Sequence, residues 1–391
     1  MGFSGYQRPD GSVGVRNHVA LIPTVGYAAG VARKVAAMVP GTKAVAHYEG
    51  CGRSARDLDM VRRTLVGLGK NPNVAAAVVV GLGSEAIEAR ALAESIAESG
   101  KPVEVVVMQE LGGSRRAAAR AAELAQQLVG HAQTLGRSEA EWSKLRLAME
   151  CGGSDALSGI TANPAIGECA NWLVGEGGVV FLSEVTEMIG TEEILGRRSA
   201  TPEVAERITA LLDKQKHQAV SVLGPLASGA TISPGNVQGG ITSIQEKSLG
   251  CIIKGGTTPI QGVLPYALPP SRPGLHIMDT PGSDVFSITG MAAAGAQIVI
   301  FSTGRGSPAG FPLAPVIKVA TNNEMYGRLT DDMDLNAGKI VDGRSVAEVG
   351  QELVELVRRV AAGEQSKAEA NGYDLLAIHA EGPPLTRTTA A

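Results

Sequence analysis

Short apolar runs alternate with longer amphipathic stretches along the first part of the chain. After an extended lead-in with a turn at 9–11, the apolar runs lie at 19–25, 43–46, 75–80 and 103–108 and have the length of strands. Apolar residues recur with helical spacing in three segments that follow these runs. The segments are 57–68, a helix capped by Ser84 that ends at Gly100, and 114–135. Regular alternation of strands and helices predicts a parallel sheet with helices on both faces.

The same alternation returns later in the chain with longer insertions. We expect strands at 145–149, 179–182, 251–253, 275–278 and 297–301, and helices after Pro164 and Pro202. A helix at 345–362 has a capping-box pattern, Ser345 with Glu348. The chain therefore predicts an α/β fold of two Rossmann-like domains, 1–140 and 141–380, the second with ordered loops at 226–240 and 265–274. Residues 381–391 are expected to form a frayed tail.

The stretch 145–167 has the organisation of a ligand site. An apolar strand leads into a glycine loop that carries Cys151, Ser154 and Asp155, and Asn163 with Pro164 opens a helix by cap and first-turn chemistry. In open α/β sheets, strand ends direct such loops into a crevice, and a helix start offers free N–H groups. A small acidic ligand would suit this position.

Composition and charge exclude several classes of function. With 391 residues, 44% hydrophobic and 19% charged, the chain is long enough for large cores. A net charge of −4 without a basic run argues against nucleic-acid binding. No membrane segment or signal-peptide pattern is present, so a cytoplasmic protein is expected. The four cysteines form no disulfide framework and no CxxC spacing, which leaves thiols or metal ligands.

Polar clusters follow almost every predicted strand. They are His47/Glu49/Cys51, Gly81/Gly83/Ser84, Glu150/Cys151/Ser154/Asp155, Ser183/Glu184/Glu187, Lys254/Gly255/Gly256/Thr257, Asp279/Thr280/Pro281 and Thr303/Gly304/Arg305/Gly306/Ser307. Because the carboxyl ends of parallel strands lie along one edge of a sheet, we expect the site at that edge.

The cysteines and carboxylates have structural alternatives at this stage. His47, Glu49 and Cys51 suit either half of a metal site or a capped turn. Cys151 suits a reactive thiolate, a ligand or a buried thiol. Glu184 is expected to be a ligand or a base. The positions of Cys169 and Cys251 favour packing in the core.

The basic residues differ in their surroundings. Arg305 lies between glycines, which favours a clamp for a carboxylate or sulfonate. Lys254 is expected to be a base or an anion contact, Lys318 is a weaker candidate, and Lys247 is expected to face solvent. No P-loop is present, and Gly81-Leu82-Gly83 lacks the third glycine of a dinucleotide fingerprint.

A set of long motifs covers nearly the whole chain. They read GYQRPDGSVGVRNHV at 5–19, HYEGCG at 47–52, ECGGSDALSGITANPAIG at 150–167, LSEVTEMIGTEEIL at 182–195, SPGNVQGGITSIQEKSLGCIIKGGT at 233–257, MDTPGSD at 278–284 and STGRGSPAG at 302–310. Together they resemble the altronate/galactarate dehydratase family, which includes the large subunit of sulfolactate sulfo-lyase. The chain departs from the family pattern at Tyr27 and Ser84, where many members have a cysteine.

The resemblance implies a metal-dependent lyase that eliminates water or sulfite from a 2-hydroxy acid and yields a 2-keto acid. Fe²⁺ is the expected metal, with Mn²⁺ or Mg²⁺ as alternatives. Many members carry a small SAF-type domain before the first motif or receive it as a separate subunit. A small SAF-type partner subunit and an oligomer are therefore expected.

The resemblance and the strand-end clusters together give roles to individual residues. The expected metal ligands are Cys51, Cys151, Glu184 and His47. The expected catalytic residues are Lys254, Glu184 and His47. The expected substrate contacts are Ser154, Asp155, Asn163, Arg305 and Lys318. A nucleotide-dependent oxidoreductase and a non-catalytic scaffold are the alternative hypotheses from other classes.

Overall fold

A computed structural model describes residues 2–224 and 232–382 of the chain. The predicted loop at 226–240 lies partly outside these residues, and the predicted tail at 381–391 lies almost wholly outside them. A short antiparallel sheet joins β1 (Gly2–Gln7) to β2 (Val13–Gly14) on one side and to β7 (Ser138–Glu141) on the other. The turn predicted at 9–11 connects the first two of these strands.

The N-terminal half contains a four-stranded parallel sheet in the order β4-β3-β5-β6. Its strands are β3 (His18–Pro23), β4 (Thr42–Ala44), β5 (Val74–Gly81) and β6 (Val103–Val107). Its helices are α1 (Ala29–Met38), α2 (Ala55–Lys70), α3 (Ala89–Ala97) and α4 (Ser114–Thr134). All eight residues of β5 are buried, as expected for a strand covered by helices on both faces.

The C-terminal half contains a seven-stranded parallel sheet in the order β10-β11-β9-β8-β12-β13-β14. Its strands are β8 (Arg146–Cys151), β9 (Val179–Leu182), β10 (Ile260–Leu264), β11 (Gly274–Met278), β12 (Ile298–Thr303), β13 (Val316–Ala320) and β14 (Leu335–Asn336). The helices are α5 (Ala162–Gly175), α6 (Glu192–Arg197), α7 (Pro202–Leu223), α8 (Pro234–Gln238), α9 (Ile244–Ile252), α10 (Asp284–Ala293), α11 (Asn323–Arg328), α12 (Val346–Ala361) and α13 (Lys367–Asn371). The predicted α/β class is confirmed.

Strand alternation divides this sheet between two cores. Leu147 and Met149 face the layer of α5 and α12, whereas Ala148 faces α10. Helix α10 also packs on α2 of the N-terminal half. There Gly67 is required, because a Cβ at this position would lie 2.3 Å from the carbonyl oxygen of Ala293. One of the two cores of this sheet is therefore shared with the N-terminal half.

The strand order places a crevice beside β8. The chain runs from β8 to its neighbour β9 on one side, whereas β12 adds to the other side, so the loops after β8 and β12 diverge at this point. Ligands bind at such a switch point in open α/β sheets. The two loops are tied together, because Gly152 N–H donates to Ser302 O and Gly304 N–H donates to Gly153 O.

Several local predictions are wrong. Residues 251–253 do not form a strand, because Ser243 caps α9 and this helix continues into a 3-10 turn that holds Lys254. Glu88, not Ser84, caps α3. Helix α5 begins before Asn163, after Thr161. In addition, the strand ends lie along two sheets rather than one edge.

Other local predictions are confirmed. The strand at 179–182 has the predicted bounds, and Ser345 and Glu348 form the predicted capping box. Cys169 is fully buried in the core, as predicted. Among the described residues, the helices are too short or too polar to cross a lipid bilayer.

Candidate active site

Two thiols and two carboxylates meet beyond the end of β8. The Sγ atom of Cys151 lies 3.3 Å from Oε1 of Glu184 and 3.2 Å from Oε2 of Glu187. One ligand atom from each of Cys151, Glu184, Glu187 and Cys251 lies within 4.8 Å of the others. We call these four residues the thiol–carboxylate cluster. It is the one group of this kind that the structure shows within residues 2–224 and 232–382.

Backbone geometry after β9 places both carboxylates in the cluster. Glu184 has φ 65° and ψ 55°, a left-handed conformation that is unfavourable for a residue other than glycine. Its N–H donates to Oγ1 of Thr280 at 2.7 Å, and its Oε2 accepts the N–H of Cys151 at 2.9 Å. The following 3-10 turn brings Glu187 to the same side. Strain that is held in this way is typical of functional sites.

Two buried lysines contact the cluster. Nζ of Lys254 lies 2.6 Å from Oε2 of Glu184, and both side chains are fully buried. Nζ of Lys247 lies 2.8 Å from Oε2 of Glu187, 2.7 Å from Oγ of Ser154 and 3.8 Å from Sγ of Cys151. The ammonium group of Lys254 therefore balances the negative charge of Glu184 in a buried region, whereas burial and the neighbouring Cys151 and Glu184 raise the pKa of Glu187 well above its usual range.

The protonation of the carboxyl groups differs within this site. Burial alone would raise the pKa of Glu184, but the charges of Lys254 and Lys247 outweigh burial and lower it. Burial, together with the charge of Glu184, raises the pKa of Glu150 well above its usual range. The same two causes raise the pKa of Asp284 to about 6. Ionised and neutral carboxyl groups are thus held side by side.

The donor set suits a divalent metal ion. Two thiols and two carboxylates provide soft and hard donors, a mixture that iron and zinc accept. The hydrogen bond with Cys251 and burial both raise the pKa of Cys151, so the thiol of Cys151 is protonated without an ion. Because a bound divalent ion displaces thiol protons, its two charges would be matched by two thiolates. The residues present therefore fit the metal that the family resemblance implies.

A small cavity opens beside the cluster. It has a volume of about 230 Å³, and its lining includes Cys151, Cys251, Ser154 and Asn163. Asn163 is fixed in place, because its amide donates to Gly250 O and accepts from Ser302 Oγ. The lining also includes exposed apolar side chains such as Ile160 and Leu249.

A wider cleft of about 750 Å³ lies next to this cavity, and the two share Asp155 and Ala156 in their linings. Arg305 lies in the wider cleft and donates to Oε1 of Gln238 at 3.1 Å. The Asp155 carboxylate accepts hydrogen bonds from Thr321 and Asn322, so it fixes the loops around the cleft.

The structure does not bring all of the predicted site residues together. His47 is buried at the end of the N-terminal sheet, where Nε2 lies 2.8 Å from Pro23 O and Nδ1 accepts the N–H of Glu49. Cys51 is exposed in the same loop, and neither residue belongs to the cluster. Lys318 is buried on β13, with Nζ 3.4 Å from Ala309 O, and it lines neither cavity.

Sequence reasoning missed three residues of this site. Lys247 was expected to face solvent, but it is 5% exposed. Cys251 was assigned to packing, and Glu187 was given no individual role. The motif Ser243-x-x-Glu246 predicts a helix start, and a helix places Lys247 and Cys251 one turn apart on the same face. This signal would have found both residues.

Comparison with known proteins identifies the family of the chain. Residues 142–383 match the family model of D-galactarate/altronate dehydratase, C-terminal. Residues 5–133 match that of D-galactarate dehydratase/altronate hydrolase, second domain. The two models together cover most of the chain.

Curated relatives agree with these models. Altronate dehydratase of Escherichia coli (strain K12) is 32% identical over 97% of this chain and 78% of the relative. The (2R)-sulfolactate sulfo-lyase subunit beta of Chromohalobacter salexigens is 34% identical over 95% of each chain. Galactarate dehydratase (L-threo-forming) of E. coli is 34% identical over 93% of this chain and 73% of the relative. A solved structure, E. coli ADP-heptose lps heptosyltransferase II, has a TM-score of only 0.20, which is too low to indicate a shared fold.

The resemblance seen in the motifs is therefore confirmed over both halves of the chain. The compared relatives are named as dehydratases and as a sulfo-lyase subunit. The chain therefore belongs to the D-galactarate/altronate dehydratase family of lyases.

Proposed function

We propose that this chain is the catalytic subunit of a lyase that eliminates water or sulfite from a 2-hydroxy acid and yields a 2-keto acid. The observation that carries the proposal is the buried thiol–carboxylate cluster at the switch point of the C-terminal sheet, beside a cavity lined in part by Ser154, Asn163 and Lys247. An elimination of this kind needs stabilisation of the charge that develops beside a carboxylate.

The cluster is the proposed metal site, with Cys151, Glu184, Glu187 and Cys251 as ligands. A divalent metal ion, Fe²⁺ in the first place and Mn²⁺ as an alternative, would supply Lewis-acid stabilisation of the substrate's carboxylate and 2-hydroxyl group. The two thiol ligands disfavour Mg²⁺, which prefers oxygen ligands. His47 is left out of this ligand set, because both of its ring nitrogens have backbone partners in the fold. Cys51 is left out because it lies with His47 and outside the cluster.

The chain's own side chains would orient the reactants. Lys254 holds Glu184 in position through a fully buried ion pair, which favours a positioning role over that of a base. Ser154 and Asn163 line the small cavity and offer hydrogen bonds to the hydroxy-acid head. Arg305 would hold a distal anionic group in the wider cleft, because a guanidinium binds carboxylate and sulfonate in a bidentate manner.

Two substrate classes are candidates within this proposal. A sugar acid loses hydroxide and needs a proton donor, whereas a sulfonated acid loses sulfite, which departs without one. We also propose a small SAF-type partner subunit, an oligomer, and a cytoplasmic location in keeping with four free cysteines.

The test is an assay for keto-acid formation by the purified protein. Aldonates, galactarate and sulfolactate are supplied with and without Fe²⁺ and with and without a co-expressed small subunit, and sulfite is measured in parallel. The proposal expects metal-dependent keto acid from one substrate class. Absence of keto acid from every substrate, with metal and partner present, would contradict it.

A further inference from the structure

The two buried lysines of the site differ in their access to the cavity. Lys254 follows α9, is fully buried, and directs Nζ at Oε2 of Glu184. It is not part of the cavity lining. Its charge therefore acts on Glu184 rather than on a bound molecule.

Lys247 lies two turns earlier and does line the small cavity. Its side chain is nearly buried, so its charge is screened little by solvent. Among the described residues that line this cavity, Lys247 is the one cation, and it lies beside Ser154. An anion that enters the cavity would meet this ammonium group.

The hydrogen bonds of Lys247 leave room for a ligand. An ammonium group has three N–H donors. Oγ of Ser154 at 2.7 Å and Oε2 of Glu187 at 2.8 Å accept two of them. Among the described residues, the third has only Sγ of Cys151, a weak acceptor at 3.8 Å. A carboxylate oxygen would be a much stronger partner for this third donor.

We propose that Lys247 binds the carboxylate of a 2-hydroxy acid and anchors the reacting end of the substrate in the 230 Å³ cavity. This assignment rests on the proposed function. The rest of the substrate then extends past Asp155 and Ala156, which both cavities share, into the wider cleft with Arg305. The small cavity with Lys247 would thus bind the carboxylate end of the substrate, and the wider cleft with Arg305 would bind its distal end.

The experiment compares lysine variants in the binding of glycolate, a 2-hydroxy acid without a β-carbon that therefore cannot undergo elimination. Wild type, Lys247→Met and Lys254→Met are loaded with Fe²⁺, and the dissociation constant for glycolate is measured by calorimetry together with metal content and thermal unfolding. Lys216→Met is the matched control, because Lys216 is a half-exposed lysine paired with Glu192.

Lys247→Met is expected to bind glycolate about 10- to 100-fold more weakly, the range for a lost hydrogen bond to a charged group, while it keeps its metal. Lys254→Met is expected to have a lower metal content than wild type, because the ion pair that holds Glu184 in position is lost. If Lys247→Met does not fold, Lys247→Gln makes the same comparison, since an amide can still bond Ser154 and Glu187 without the charge.

Glycolate binding by the Lys247 variant at the wild-type affinity would overturn the assignment, and so would loss of metal equal to that of the Lys254 variant. Failure of the proposed function is distinguishable from these results. In that case, wild-type protein produces no keto acid in the substrate panel, whatever Lys247 does to glycolate binding.

Discussion

The two parallel sheets of this protein carry polar loops at their carboxyl ends, but the loops are used differently. At the end of the N-terminal sheet, the polar groups satisfy one another. Glu85 accepts the N–H groups of Leu82, Gly83 and Ser84, and Glu49 forms a bidentate pair with Arg53. The end of the C-terminal sheet instead holds thiols, carboxylates and lysines beside an open cavity.

The difference shows that a polar loop at a strand end is not sufficient for a site. In the N-terminal sheet, the carboxylate of Glu85 occupies the backbone N–H groups that would otherwise bind an anion. Tyr27 and Ser84, the two positions that depart from the family pattern, lie in this half and outside the thiol–carboxylate cluster. The departures therefore leave the proposed metal ligands unchanged.

The largest effect is expected when a cysteine of the C-terminal half is replaced by serine, in comparison with the same replacement in the N-terminal half. Cys151→Ser removes a proposed ligand, so metal affinity and keto-acid formation should fall by at least about 100-fold, more than for loss of a group that merely supports a ligand. Cys51→Ser is the matched control, because Cys51 is exposed in the loop of the other sheet. Metal analysis and turnover measure the difference, and equal losses in the two variants would remove the contrast between the halves.

The next effect concerns the connection between the halves. Arg16 is nearly buried, forms two hydrogen bonds to Glu369, and donates to the carbonyl oxygens of Val360 and Glu364. Arg16→Met leaves these acceptors unpaired, so the free energy of unfolding should fall by about 2–4 kcal/mol. Denaturant unfolding measures the loss.

Arg90→Met serves as the control for this experiment, since the pair of Arg90 and Glu110 is exposed and should contribute little. Metal content of the folded Arg16 variant should remain that of wild type. A variant that lost metal but not stability would show that the two halves are not separable in function.

A smaller effect is expected at Glu85. Burial alone would raise its pKa, but the hydroxyl of Thr24 and the N–H groups of Gly83 and Leu82 outweigh burial and lower it. Glu85→Gln should reduce the free energy of unfolding by about 1 kcal/mol at neutral pH, since the group is partly exposed. Turnover should not change.

The sign of the pH dependence follows from the lowered pKa of Glu85. The stabilisation is fully present above the unfolded pKa, about 4.3. It is lost as pH falls from there through the lower folded pKa. Unfolding curves of wild type and Glu85→Gln should therefore converge in acid, and a gap that widened below this pH would contradict the assignment.

The smallest expected effect is at Lys318, a predicted substrate contact. Burial lowers the pKa of Lys318, and within the described part of the chain its ammonium group has one distant acceptor, the carbonyl oxygen of Ala309. Lys318→Met should keep turnover close to wild type and leave stability unchanged or slightly raised, because an apolar side chain of similar size replaces a poorly paired charge. A large loss of substrate affinity would instead support a contact through Lys318.

Individual strands and helices could be predicted where a single local sequence signal was sufficient to define them. The apolar run at 179–182 and the capping pair of Ser345 with Glu348 are local signals, and both are confirmed. The apolar residues of 251–253 were misread, because a short apolar run does not distinguish a strand from a buried helix. The motif that begins at Ser243 resolves this ambiguity.

The site could be predicted only in part, because its members come from separate loops. The rule that sites lie at strand ends predicts Cys151 and Glu184, which do meet, and Lys254, which pairs with Glu184. The same rule predicts His47, which lies at the end of the N-terminal sheet and outside the cluster. Which strand ends meet depends on strand order, and strand order is set by long-range packing rather than by local sequence.

We propose that the thiol–carboxylate cluster of the C-terminal sheet binds the metal. X-ray absorption spectroscopy of the zinc-substituted protein tests this claim directly. We expect two sulfur neighbours per metal ion at about 2.3 Å, the usual zinc–thiolate distance, together with oxygen neighbours. One sulfur neighbour should be lost in Cys151→Ser but not in Cys51→Ser. A spectrum with nitrogen and oxygen neighbours alone would contradict it.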